Sequence, residues 1–155
     1  MGEFREIGFN RRANYDYEIL EKIEAGILLV GSEVKSLRTY KVNLAEAYAG
    51  LSRDNELFLY QMNIPKYALA NNMNHDPKRT RKLLLRKKQL LRLIGQLKKG
   101  GISLIPLSIY FNEKGFVKVS LGLGKGKKSF DKRETIKQRE WNREKSRILK
   151  NGKDY

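Results

Sequence analysis

The chain has 155 residues, one domain's worth with room for a short appendage, and its 33 Lys and Arg against 17 Asp and Glu give a formal net charge of +16. No apolar run approaches the roughly 20 residues of a membrane span, the acid-bearing N-terminus lacks the apolar core of a signal peptide, and the absence of cysteine excludes a disulfide framework or a thiolate metal site. With a mean hydropathy of −0.62 the chain reads as a soluble, cytoplasmic protein with no membrane partner.

From Tyr15 the odd positions run Tyr15, Tyr17, Ile19, Glu21, Ile23, Ala25, Ile27 and Leu29, with Asp16, Glu18, Lys22 and Glu24 between them. That alternation predicts one half-buried strand, or two interrupted near Gly26, and it leaves Glu21 on the inner face without a reason. Ser32 is placed to cap a short helix with Val34 and Leu37 on one side. Alternation returns at Val42 to Tyr48 and at Glu56 to Ile64, joined by the polar turn Arg53-Asp54-Asn55, and Asn71 to Thr80 reads as a loop. Between Lys82 and Lys99, Leu90, Leu93, Ile94 and Leu97 stand at i, i+3, i+4, i+7, an amphipathic helix that stops at Gly100-Gly101. Ile105, Leu107, Ile109 and Phe111 alternate, the turn Asn112-Glu113-Lys114-Gly115 follows, and Val117, Val119, Leu121 and Leu123 alternate again, the clearest hairpin in the chain.

Hairpins with two inserted helices predict a mainly β (α+β) architecture, a small antiparallel β-barrel of the OB type; a flat α+β sheet fits the same periodicity. Gly124-Lys-Gly-Lys-Lys128 then reads as a flexible basic link. Residues 131–150 hold only Ile136, Trp141, Ile148 and Leu149 as large apolar groups, with Asp131 and Glu134 at capping-box spacing. A helix starting there has too little apolar surface to dock and is expected to fray in isolation. The chain therefore divides into a body, residues 1–128, of which 1–8 form a flexible N-terminus, and a basic C-terminal tail, residues 129–155.

Catalytic constellations are absent from the sequence. The single histidine, His75, lies in a polar loop with no second imidazole or thiol. Gly122 to Ser129 resembles a phosphate loop but fails its spacing, because Lys127 stands where the last Gly-Lys step requires otherwise. No cofactor, metal or enzymatic activity is expected.

Charge placement is more informative. Residues 1–76 carry nine basic against eleven acidic groups, a net −2, so residues 77–155 carry +18. Lys78 to Lys99 contains ten Lys and Arg and no acid, leaving unrelieved the repulsion that a helix serving only its fold relieves by interleaving signs. The tail from Lys125 adds twelve basic residues against five acids. A polyanion is the ordinary partner of such a surface, and Tyr15, Tyr17, Tyr48, Tyr67, Tyr110, Phe116 and Phe130 could stack on unpaired bases. The chain reads as an RNA-binding protein.

Several ordered blocks resemble one family, small protein B, the SsrA-binding (tmRNA-binding) proteins of bacteria. They are Asn10-Arg-Arg-Ala13 with Asp16-Tyr17, Glu24-Ala-Gly26, Gly31-Ser-Glu-Val-Lys-Ser-Leu-Arg38, Asp76-Pro77, Thr80-Arg-Lys-Leu-Leu-Leu85, the Leu104 to Tyr110 strand, Gly124-Lys-Gly-Lys-Lys128 and Asp131-Lys-Arg133. The resemblance covers residues 9–150. It implies an OB-like barrel with a basic tail that becomes helical on the ribosome, and a non-enzymatic role. Such a protein binds the tRNA-like domain of tmRNA and enters stalled ribosomes with it and elongation factor Tu carrying alanyl-tmRNA. Its body stands in for an anticodon arm, and its tail probes the empty mRNA channel beside small-subunit rRNA. The resemblance implies tmRNA contacts at Asn10, Arg12, Tyr17, Glu24, Arg38, Tyr48, Lys82, Leu83, Leu84 and Leu85, and ribosome contacts at Lys125, Lys127, Lys128, Phe130, Asp131, Lys132, Arg133, Ile148 and Leu149. Phe130 departs from members with His there: it can stack but cannot donate a hydrogen bond. Two other readings are a constitutive ribosomal or initiation-type OB protein that binds rRNA, and a small RNA-processing enzyme.

Overall fold

In the computed structural model, which describes residues 4–70, 74–127 and 129–151, the alternating segments supply five of seven strands; the other two form at Arg5–Phe9, which pairs with Ser108–Phe111 where a flexible N-terminus is expected, and at Arg81–Leu84. The seven are β1 (Arg5–Phe9), β2 (Tyr17–Ile27), β3 (Tyr48–Leu51), β4 (Leu57–Tyr60), β5 (Arg81–Leu84), β6 (Ser103–Phe111) and β7 (Val117–Gly126). Four helices interleave with them: α1 (Ala13–Asp16), α2 (Gly31–Thr39), α3 (Lys87–Lys98) and α4 (Ser129–Asn151). All described pairings are antiparallel, in the order β1-β6-β7-β2-β5-β4-β3, so the fold is α+β.

The predicted hairpin is β6–β7. Asn112 Oδ1 accepts from the amides of Lys114 and Phe116, and Gly115 takes φ +84°, a conformation that costs glycine nothing. Odd residues of β2 point inward as expected, ending on the fully buried Ala25. Glu21 now has an account: a bulge in the β2–β7 register precedes it, and Arg92 of α3 donates to its Oε2 at 2.9 Å.

The sheet coils so that β3 returns within 8 Å of β6, but no ladder closes it among the described residues. One backbone bond spans the seam beside β1, from the Val42 amide to the Ile7 carbonyl (3.0 Å), and Asn43 bridges to Asn63 on the far side. Gly8 permits this approach, since a Cβ there would lie 2.5 Å from the Val42 oxygen.

Apolar inner faces meet in one core: Leu57 and Leu59 from β4, Leu83 from β5, Ile109, Val119, Leu121 and Leu123 from the hairpin, Leu37 from α2 and Leu93 from α3. A smaller cluster of Ala13, Ile105 and Leu107 lies beneath α1. The core also holds charge. Glu33 and Arg81 are both fully buried and bonded Oε2 to Nε; Arg79 donates to Glu33 Oε1 at 2.6 Å, and Arg81 also donates to the carbonyls of Met62 and Pro77.

Several predicted boundaries move. Ser32 is not the cap of α2: Glu33 Oε1 accepts the Val30 amide at 2.9 Å, while Ser32 Oγ bonds His75 Nδ1. His75 Nε2 meets the Ile64 carbonyl, so this histidine ties two loops together. Val42 and Leu44 are buried as the alternation predicts, but the phase then slips, burying Ala47 and exposing Glu46 and Tyr48, and the ladder starts only at Tyr48. β4 ends at Tyr60 because Gln61 takes φ +60°. The helix expected from Lys82 begins at Lys87, and Arg81–Leu84 is β5 instead. Four residues are too few for a period of two to stand out among lysines and leucines. The final helix begins at Ser129, so Asp131 and Glu134 lie inside it and do not form its cap.

Candidate nucleic-acid interface

Strand register decides which candidates share a surface. Tyr48 pairs with Tyr60, Phe58 with Lys82, Leu84 with Gly26, Gly26 with Lys118, Lys118 with Tyr110, and Glu24 with Ser120. Directly opposed residues of antiparallel strands point to the same side. One continuous outer face therefore carries Tyr48, Tyr60, Phe58, Lys82, Leu84, Lys118 and Glu24. The rings of Tyr48 and Tyr60 are stacked at 5.0 Å between centroids with 21° between planes, and Tyr48 is 54 % exposed. This is an aromatic platform with a lysine beside it, the arrangement on which unpaired bases stack. Tyr60 and Phe58 escaped the sequence reading, although their alternation with buried Leu57 and Leu59 places them outward.

Glu24 is held at the centre of this face. The Tyr110 hydroxyl donates to its Oε2, and burial first, then that bond, pushes the phenol well above the usual tyrosine range, so it remains a donor. Oε1 stays open at an exposed position, ready to accept from the amino edge of a base. Arg38 does not pair with Glu24. It lies exposed at the C-terminal end of α2, where its carbonyl accepts from Arg5.

The remaining candidates separate. Leu83 is 2 % exposed and Leu85 packs on the core, so neither belongs to the surface. Asn10 is spent locally: Nδ2 donates to the Pro106 carbonyl at 3.1 Å and Oδ1 accepts the Arg12 amide. Tyr17 is half-buried against the cluster beneath α1. Arg12 is exposed, 3.7 Å from Asp16 and over the Tyr15 ring.

The uncompensated basic run is partly an artefact of reading along the chain. Arg79 and Arg81 serve Glu33, while Lys78, Lys82 and Arg92 meet Glu46, Glu56 and Glu21 from other elements. Arg86, Lys87, Lys88, Lys98 and Lys99 keep exposed cations without an acid at ion-pair distance among the described residues.

At the tail's root, Lys127 donates its amide to the Asp16 carbonyl and its Nζ to the Asn14 carbonyl and Thr135 Oγ1, both at 2.7 Å. Lys132 sits 3.6 Å from Asp16 and over the Tyr15 ring. α1 thus grips the first turns of α4 by polar contacts. Lys125 and Arg133 are exposed; Lys128 lies outside the described residues, as do the side chains of Phe130 and Asp131. Past Thr135 every described side chain of α4 is exposed, Trp141, Ile148 and Leu149 included. Trp141 and Ile148, seven residues apart, share a side of that helix.

Comparison with known proteins identifies the family. The SmpB protein family model matches residues 7–151. The SsrA-binding protein of Wolbachia sp. subsp. Drosophila simulans (strain wRi) is 56 % identical over 145 residues, covering 94 % of this chain and 97 % of that protein. The SsrA-binding protein of Maricaulis maris (strain MCS10) is 50 % identical over 149 residues, covering 96 % and 95 %. A solved chain described under "tmRNA-SmpB: a journey to the center of the bacterial ribosome" is 52 % identical, with a TM-score of 0.63 over 78 % of this chain and 84 % of that one. With a family match over nearly its whole length and relatives above half identity, this chain belongs to the SmpB protein family.

Proposed function

We infer that this chain binds the tRNA-like domain of tmRNA and delivers it to stalled ribosomes for trans-translation. The observation that carries the reading is the shared outer face of Glu24, Tyr48, Lys82 and Leu84, which strand pairing gathers from three separate stretches of the sequence around a stacked tyrosine pair. Relatives named for SsrA binding support the choice of RNA. Coiling of the sheet and the bond across its seam support an OB-type barrel left partly open, a fold whose curved face suits single strands and loops.

On this reading the protein catalyses nothing; it supplies shape, charge and stacking in the cytoplasm. Arg12, beside α1, and Arg38, at the C-terminal end of α2, are flanking phosphate contacts. The tail from residue 129 enters the mRNA channel against small-subunit rRNA. There Lys125, Lys127, Lys128, Lys132, Arg133 and Phe130 meet RNA near its root, with Asp131 among them, and Ile148 and Leu149 cover apolar surface farther along. Elongation factor Tu accompanies the charged tmRNA. Filter binding of the transcribed tRNA-like domain over a range of salt tests the reading. With about six phosphates contacted, log K should fall against log salt with a slope of roughly −4 to −5. A slope near zero, or equal affinity for an unrelated duplex RNA, contradicts it.

A further inference from the structure

The coiled sheet leaves a groove of ≈ 590 Å³ along its seam, between the end of β1 and residues 41–45. Its volume falls within the roughly 300–1,000 Å³ of small-ligand clefts. Gly8 forms part of the floor, where the Val42 backbone comes too close for any side chain. The walls carry Phe9, Arg11, Arg12, Lys41 and Asn43, and Glu6 is the one acid among the lining residues.

These side chains suit one kind of ligand. Phe9 is 50 % exposed at the end of β1 although the strand's alternation places it on the side of the buried Ile7, so an apolar ring stands half open to solvent at the groove. Arg11 and Lys41 are exposed and have no acid at ion-pair distance among the described residues, whereas Arg12 beside them is engaged by Asp16. Asn43 uses Oδ1 to accept the Ala45 amide at 2.9 Å, which leaves its Nδ2 group to donate. A flat face, two free cations and an amide donor around one cleft match a base, its phosphate and an acceptor on the base edge.

We propose that this groove binds a single unpaired nucleotide of RNA. The base stacks on Phe9, Asn43 donates to its edge, and Arg11 and Lys41 take the flanking phosphates. The proposal rests on the RNA-binding reading above but adds a contact separate from the tyrosine platform, which lies on β3 and β4. It also gives the open seam a use, since closing the ladder there would fill the cleft.

The test uses the full chain and two probes: an RNA hairpin with an unpaired loop, and its stem extended into a duplex with no unpaired nucleotide. Affinity is measured over a range of salt for Phe9→Leu, Phe9→Tyr, Arg11→Ala with Lys41→Ala, and Tyr48→Ala. The side chains changed in the groove are exposed, and thermal melting checks that each variant folds like the parent. The double variant should bind the hairpin about tenfold more weakly, with a salt slope shallower by roughly 1.4, two phosphates at about 0.7 each for single strands. Phe9→Leu should lose about fivefold and Phe9→Tyr should restore the parent's affinity, as stacking requires and mere bulk does not. Unchanged affinity and slope in the groove variants, with Tyr48→Ala still weakened, overturns the groove alone. Equal losses on hairpin and duplex overturn the unpaired nucleotide. A parent chain that binds neither RNA overturns the RNA reading itself.

Discussion

Glu33 and Arg81, 48 residues apart in the chain, are fully buried and joined carboxylate to guanidinium, linking α2 to β5 inside the protein. Burial opposes the charge of Glu33, but the hydrogen bonds from Arg79 and the Val30 amide and the charge of Arg81 outweigh it, and the carboxyl sits below its ordinary value of 4.5. Burial lowers Arg81 as well, and the charge and hydrogen bond of Glu33 oppose that shift.

Removing one partner leaves a buried charge uncompensated, which costs about 3–5 kcal/mol. Glu33→Gln and Arg81→Met should each lower the unfolding free energy by that order in urea titrations. The pH dependence has a definite sign. A carboxyl depressed in the folded state stabilises fully above 4.5 and loses that contribution as pH falls through its lower folded value. The parent should weaken below pH 4.5, and Glu33→Gln should show a flatter acid limb; equal acid limbs would contradict the assignment.

Glu24 and Tyr110 predict an effect opposite to simple electrostatics. Glu24→Ala removes a negative charge from an RNA-facing surface, yet it should weaken tmRNA binding by roughly 1–3 kcal/mol because a fixed acceptor is lost. Tyr110→Phe frees the carboxylate to move and should weaken binding in the same direction by less. Filter binding reads both, and improved affinity in Glu24→Ala would make that residue merely solvated.

Stacking on the outer face gives a third expectation. Tyr48→Ala should cost about 1–3 kcal/mol of RNA affinity, as base–aromatic stacking does elsewhere. Tyr60→Ala should cost a comparable amount although Tyr60 is less exposed, because it backs the Tyr48 ring. The double variant should lose less than the sum, since each ring positions the other. Additive losses would place the two rings on separate ligands.

How much of this was legible in the sequence follows from the reach of each pattern. The β6–β7 hairpin was readable because nine- and ten-residue strands carry enough alternation and a local turn fixes their register. The helical face of Leu90, Leu93 and Leu97 was readable for the same reason. β5 was not, since four residues show a period of two only once Glu33 is seen to draw Arg81 inward. The run of basic residues looked wholly free because their acids lie on α2, β2 and distant loops. Motif resemblance brought Leu83 and Leu85 along with Leu84, and only strand register shows that Leu84 alone of the three faces out. Tyr60 and Phe58 were missed because a surface aromatic and a core aromatic look alike until their strand's neighbours are known.

The division between body and tail carries the functional account, and one experiment tests it most directly. α4 touches the body through Lys132, which meets Asp16, and Thr135, which accepts from Lys127, and exposes its described side chains from Ile136 on. A chain stopped after Ser129 should therefore fold and bind tmRNA within about tenfold of the full protein, roughly 1.4 kcal/mol. In a reconstituted translation reaction with a ribosome stalled at the end of a truncated message, the full chain should support addition of the tmRNA-encoded peptide. The shortened chain, bound to the same tmRNA, should not. Normal tagging by the shortened chain, or loss of its tmRNA binding altogether, would contradict the account.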